Sequence, residues 1–101
     1  MRHDKTREFV DNVKASSDIV EVIGSRIPLS RSLKACCPFH DEKNPSFSVN
    51  PRGQYFYCFG CGVGGDVIRF LMLYERIGFV EALVDLAEQA GIDVPKSLSG
   101  R

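Results

Sequence analysis

Cys37-Pro38-Phe39-His40 is followed, after seventeen residues, by Cys58-Phe59-Gly60-Cys61, so the chain carries two pairs of metal-ligating side chains, each with a two-residue spacer. No other feature restricts the fold as strongly. A two-residue spacer lets a tight turn aim both side chains the same way, and four such donors close a tetrahedron with Zn–S of about 2.3 Å and Zn–N of about 2.0 Å. Four protein ligands leave no position open for water or substrate, so the pattern predicts one structural Zn2+ rather than a catalytic one. At 101 residues the chain has use for such a staple. A globule of this size buries only about 60 to 65% of its unfolded surface, and a structural metal offsets a thin core.

Cys58-x-x-Cys61 also has the form of a thiol redox pair. A thioredoxin-like site opens a helix within a βαβ unit, whereas this pair precedes a glycine cluster, so zinc is the stronger reading. The N-terminus is charged and no apolar run reaches the 18 residues of a membrane span, which leads us to expect a cytoplasmic protein with reduced thiols and no membrane partner. Cys36 would point opposite to Cys37 on a strand and is expected to be a small buried residue outside the ligand set. His3, in a charged terminus, has no support as a ligand. Gly62-Val63-Gly64-Gly65-Asp66 lacks the lysine and hydroxyl of a phosphate loop, so turn geometry explains it better.

Hydrophobic periodicity divides the rest. Residues 4–15 and 19–23 read as two short N-terminal helices, the second capped by Ser17 or Asp18 and ended by Gly24. Asp66 can cap a helix through Val67, Phe70, Leu71 and Tyr74 that stops at Gly78. Phe79, Ala82, Leu83, Leu86, Ala87 and Ala90 then give a last helix closed by Gly91. Between these pairs, Asn50-Pro51-Arg52-Gly53 has the preferences of a type I turn joining Ser46-Phe47-Ser48-Val49 to Gln54-Tyr55-Phe56-Tyr57. In the register that this turn implies, Phe47 opposes Phe56 on a greasy face with Val49, while Ser46, Ser48, Tyr55 and Tyr57 share the other. Phe47, Phe56 and Phe79 are assigned to the core. The expected fold is a small α+β zinc ribbon in a single domain, 1–101: an antiparallel hairpin sheet with zinc knuckles (26–65), flanked by N-terminal helices (4–24), a C-terminal helical pair (66–91) and a polar tail (96–101).

Thirteen basic and thirteen acidic residues cancel overall, but not locally. Between residues 26 and 58 lie Arg26, Arg31, Lys34, Lys43 and Arg52 against Asp41 and Glu42 alone, an excess of three positive charges. A zinc site of three thiolates and a neutral imidazole takes back one of these. Tyr55 and Tyr57, near Lys34, Lys43 and Arg52, suit a face where rings stack on unpaired bases and cations meet phosphates; the equal alternative is that the rings pack under the N-terminal helices or merely flank the core.

Cys37-Pro38-Phe39-His40, Glu42-Lys43-x-Pro45-Ser46-Phe47 and Cys58-Phe59-Gly60-Cys61-Gly62-x-Gly64-Gly65-Asp66 together closely resemble the N-terminal zinc-binding domain of bacterial DnaG-type DNA primases, the CHC-type zinc finger. The flanking Asp18-Ile19-Val20-Glu21-Val22-Ile23-Gly24, Phe70-Leu71-Met72 and Phe79-Val80-Glu81-Ala82 extend the likeness over about residues 5–95. The resemblance implies a zinc ribbon that helps recognise a single-stranded DNA template for RNA primer synthesis. Cys37, His40, Cys58 and Cys61 match its ligands and Lys43 a basic motif position. Primer synthesis belongs to a following Toprim-type domain for which this chain has no room, so the chain alone is not expected to be an enzyme; the primase catalytic domain and the replicative helicase are the implied partners. Two positions depart from the pattern: the segment before Cys37 is about three residues shorter and less basic, and Tyr57 replaces the usual histidine. The alternative is a protein-interaction or scaffold module of a replisome or mobile element whose zinc only holds the fold.

Overall fold

The computed structural model describes residues 5–41 and 44–96. His3, Lys43 and the tail beyond Lys96 therefore lie outside the described residues.

Helix α1 (Lys5–Ser16) turns Phe9 and Val13 into the core. Its end is closed by the buried Ser17, whose hydroxyl donates to the Val13 carbonyl at 2.7 Å. Asp18, not Ser17, caps helix α2 (Ile19–Gly24): its carboxylate accepts from the Val20 amide at 3.2 Å. Such a cap satisfies one of the orphan amides of the first turn.

Four strands in the order β1-β2-β3-β4 form an antiparallel sheet. They are β1 (Lys34–Ala35), β2 (Phe47–Asn50), β3 (Tyr55–Cys58) and β4 (Gly64–Gly65). The expected hairpin is β2–β3, widened on each side by a two-residue strand that periodicity cannot reveal at such length. Its register differs from expectation. Val49, not Phe47, lies opposite Phe56, and Phe47 lies opposite Cys58. The turn is a four-residue loop because Gln54 adopts a left-handed conformation at φ 56° and pairing begins only at Asn50 and Tyr55. A slip of two residues preserves which side chains share a face. Phe47, Val49, Phe56 and Cys58 point inward, while Ser48, Tyr55 and Tyr57 lie on the other side.

Against the inner face lies helix α3 (Val67–Glu75), capped by Asp66, whose carboxylate accepts from the Arg69 amide at 3.0 Å. It ends three residues before Gly78, with Arg76 at φ 59° donating its amide to the Met72 carbonyl. Gly78 instead begins helix α4 (Phe79–Ala90), where Glu81 reaches back to accept from its amide at 3.2 Å. Ala82, Leu83, Leu86 and Ala87 of α4 are buried, but Phe79 is 45% exposed, contrary to its assignment to the core. It occupies the first position of the helix, before the helix reaches the interior.

Four rings form the centre. Phe47 and Phe56 stack with centroids 5.4 Å apart, Phe70 meets Phe56 edge to face at 5.7 Å, and Phe39 meets Phe70 edge to face at 5.7 Å. Each such pair adds about 0.5 to 1.5 kcal/mol beyond the area it buries.

Candidate metal centre and the outward sheet face

Cys58 lies at the end of β3 with its side chain inward and fully buried. The chain must then turn at once to bring Cys61 back beside it. Gly62 makes this possible at φ 81°, donating its amide to the Cys58 carbonyl at 2.7 Å, and the Cys58 amide pairs with the Val63 carbonyl at 2.8 Å. The first knuckle, Cys37 to His40, follows β1, whose alternation continues past the strand: Ala35 and Cys37 are buried, Lys34 and Cys36 exposed. Cys36 does point opposite to Cys37 as expected, but that direction is solvent rather than core.

The sulfurs of Cys37, Cys58 and Cys61 and a ring nitrogen of His40 all lie within 4.8 Å of one another. The Cys37 and Cys61 sulfurs are 4.0 Å apart. Tetrahedral zinc with Zn–S near 2.3 Å requires sulfurs about 3.8 Å apart, so these four donors fit one zinc ion. The donor set is closed, with Cys37 and Cys58 buried, His40 half-buried and Cys61 exposed, and zinc held there is structural. It would lock the two knuckles together and present no site for water activation.

Backbone geometry already favours negative sulfur. The Phe39 amide donates to the Cys37 sulfur at 3.4 Å. Burial opposes the charged form of both inner thiols, yet they diverge. Burial pushes the Cys37 thiol up to about 12, helped by the neighbouring Cys58 sulfur. At Cys58 burial also acts upward, but the amides of Cys61 and Gly60, aimed at its sulfur, outweigh it and bring the thiol down to about 7. A metal stabilises both as thiolates.

On the opposite side of the sheet, Lys34, Ser48, Tyr57 and Gly64 form one row across all four strands, with Asn50 and Tyr55 in the next row but one. Tyr55 and Tyr57 are 47% and 40% exposed, so they do not pack under the N-terminal helices. Arg52 is exposed in the loop beside Tyr55. No outward position on the four strands carries a carboxylate. Arg26, counted above in the local positive excess, belongs elsewhere: half-buried, it pairs with Glu75 at 3.2 Å.

Three residues given no role in the sequence analysis matter here. Phe39, in the spacer of the first knuckle, inserts into the aromatic core. Phe59, in the spacer of the second, is 75% exposed and meets Tyr57 edge to face at 4.9 Å. The period-two series Tyr55, Tyr57, Phe59 was its signal: the Phe59 amide donates to the Ser46 carbonyl at 2.9 Å, extending the ladder one residue past the strand. Gln54, third, ties the hairpin loop to α2, accepting from the Ile19 amide at 2.9 Å and donating to the Pro51 carbonyl at 2.8 Å and the Asp18 carboxylate at 3.3 Å. No local pattern announces that contact.

A small antiparallel sheet clasped by three thiols and an imidazole, with two helices on either side in sequence, defines a zinc ribbon. Residues 5–100 match the CHC2 zinc finger family, and the chain belongs to that family. It is 47% identical over 97 residues to a DNA primase of Pseudomonas aeruginosa, covering 93% of this chain and 15% of that protein. It is also 46% identical over 92 residues to a DNA primase of Escherichia coli, covering 88% of this chain and 16% of that one. Among solved structures it is similar to the zinc-binding and RNA polymerase domains of the Aquifex aeolicus primase, with a TM-score of 0.83 and 42% identity over 88% of this chain and 23% of the other. The chain thus spans about a sixth of the length of these curated relatives. No helix among the described residues is long and apolar enough to cross a membrane.

Proposed function

We propose that this chain is the template-recognition module of a bacterial DNA primase: zinc held by Cys37, His40, Cys58 and Cys61 stiffens the sheet, whose outward face binds single-stranded DNA where an RNA primer begins. The observation that supports this reading is the outward face itself, where exposed Tyr55 and Tyr57 stand among Lys34 and Arg52 with no acidic side chain on the strands. Rings of this kind stack on any unpaired base, and cations meet the backbone. Lys43, matching a basic motif position of the family, joins this set. Few positive charges make binding weak, and the phosphate contacts they make are screened by salt, so the module is effective when tethered to its catalytic domain or working beside the replicative helicase, in the cytoplasm. Fluorescence anisotropy of labelled oligonucleotides at low salt tests it. No binding by the zinc-loaded chain, alone and with a primase catalytic domain supplied, overturns it.

The second reading, a protein-interaction or scaffold module, draws on the exposure of Phe79 and Val80 at the start of α4. On that reading Lys34→Ala, Arg52→Ala and Tyr55→Ala leave primer synthesis intact.

A further inference from the structure

We infer that Phe59 is the principal stacking post of the DNA-binding face, a ring held upright at the metal end of the sheet against which one unpaired base packs, with Tyr57 positioning it. This rests on the reading of the sheet as a single-strand binding face.

An exposed phenylalanine is not by itself a site. Here, however, the backbone below it is fixed twice: the Phe59 amide is bonded to Ser46, and the preceding Cys58 is one of the four metal donors. The ring then touches Tyr57 at an interplanar angle of 72° and a centroid distance of 4.9 Å, while remaining 75% exposed. One edge-to-face contact orients a ring and leaves most of its surface to a ligand.

Tyr57 is itself constrained from below. A Cβ built on Gly64 would lie 2.9 Å from the Tyr57 ring, and one on Gly62 would lie 3.9 Å from its hydroxyl. Tyr57 therefore rests along glycine backbone and buttresses Phe59 as a rigid piece. A preorganised aromatic surface loses little entropy when it binds.

Charge selects the occupant. Lys34 lies in the same cross-strand row as Tyr57, two strand spacings or about 10 Å away. That distance is within reach of an extended lysine serving the backbone of a nucleotide whose base sits by the post. With Arg52 near Tyr55 and no carboxylate on the strands, the face is complementary to a polyanion carrying flat apolar rings.

The test uses the zinc-loaded chain, under whichever condition gives oligonucleotide binding. Phe59→Leu keeps the apolar volume but removes the π-face, and is expected to weaken binding by about five- to a hundredfold while retaining one zinc. Phe59→Trp should bind at least as well as the unsubstituted chain. The chain has no other tryptophan, so its emission reports stacking directly and should be quenched when the oligonucleotide is added. This second variant decides the matter if Phe59→Leu does not fold. Unchanged affinity in Phe59→Leu, or an unquenched indole while anisotropy shows binding, overturns the inference and leaves the wider reading standing. If the unsubstituted chain binds no oligonucleotide under any of the conditions, both fall.

Discussion

Phe39 and Phe70 meet edge to face with their centroids 5.7 Å apart, which joins the spacer of a metal knuckle to the helix beneath the sheet. Metal binding and core packing are therefore coupled through one ring. Phe39→Ala is expected to destabilise the zinc-loaded chain by about 3 kcal/mol, the lower end of the range for a phenylalanine because the ring is only partly buried. It should also weaken zinc binding, since the knuckle loses its anchor. Urea unfolding and zinc competition against a chelator measure the two effects.

Removing zinc with a strong chelator should loosen the ribbon before the helices. The binding energy at stake, about 10 to 16 kcal/mol in finger peptides, rivals the whole stability of a small domain, about 5 to 15 kcal/mol. Amide exchange should rise sharply at Cys58 and Phe59, whose backbone bonds bracket the knuckle, and less in α4. Cys58→Ser should lower zinc content from one per chain to nearly none, whereas Cys36→Ser, exposed and outside the cluster, should leave it at one.

Zinc affinity should rise with pH. In the metal-free chain Cys37 keeps its proton up to about 12 and Cys58 up to about 7. An entering zinc ion must displace the Cys37 proton at any pH between those values, so affinity there gains at least about tenfold per pH unit. Below about 7 the Cys58 proton adds to the competition and the dependence steepens. Competition with a chromophoric chelator from about pH 6 to 9 measures the slope; a flat response contradicts it.

The donor spacing made the metal site legible, because two-residue spacers at each end of a hairpin leave a small set of geometries. Helices α2, α3 and α4 were legible for a similar reason, each having a cap residue and a 3.6-residue period. The hairpin register was not. It depends on Gln54 holding a left-handed conformation, and the bonds that fix it run to Ile19 and Asp18, more than thirty residues away. Arg26 misled likewise: a positive residue near others in sequence is neutralised by Glu75, forty-nine positions on. Gly64 and Gly65 read as a bend, and only pairing with Tyr57 and Phe56 shows them to be a strand.

Gly64 sets the height of Tyr57. A Cβ there would lie 2.9 Å from the Phe56 carbonyl oxygen, which the ladder holds in place, and equally close to the Tyr57 ring. Gly64→Ala is expected to cost about 1 to 3 kcal/mol as overpacking and to tilt the ring. Thermal unfolding reads the first effect, and the ring-proton shifts of Tyr57 the second.

If Lys34 and Arg52 each meet a phosphate, each should contribute about 0.7 to the slope of log affinity against log salt on single strands. Lys34→Ala should therefore flatten the slope by that amount. An unchanged slope with unchanged affinity would place the DNA elsewhere.

Gln54→Ala leaves the Ile19 amide without its acceptor and should cost about 1 to 3 kcal/mol in urea unfolding.

The same glutamine has a mechanical meaning. Metal grips the ribbon where β2 begins and β3 ends, and Gln54 moors the far tip to the start of α2. A strip fastened at one end can sweep like a flag; fastened at both, it behaves as a plank. Whatever lies across it meets a surface that does not curl to accommodate, and must itself adopt the matching shape.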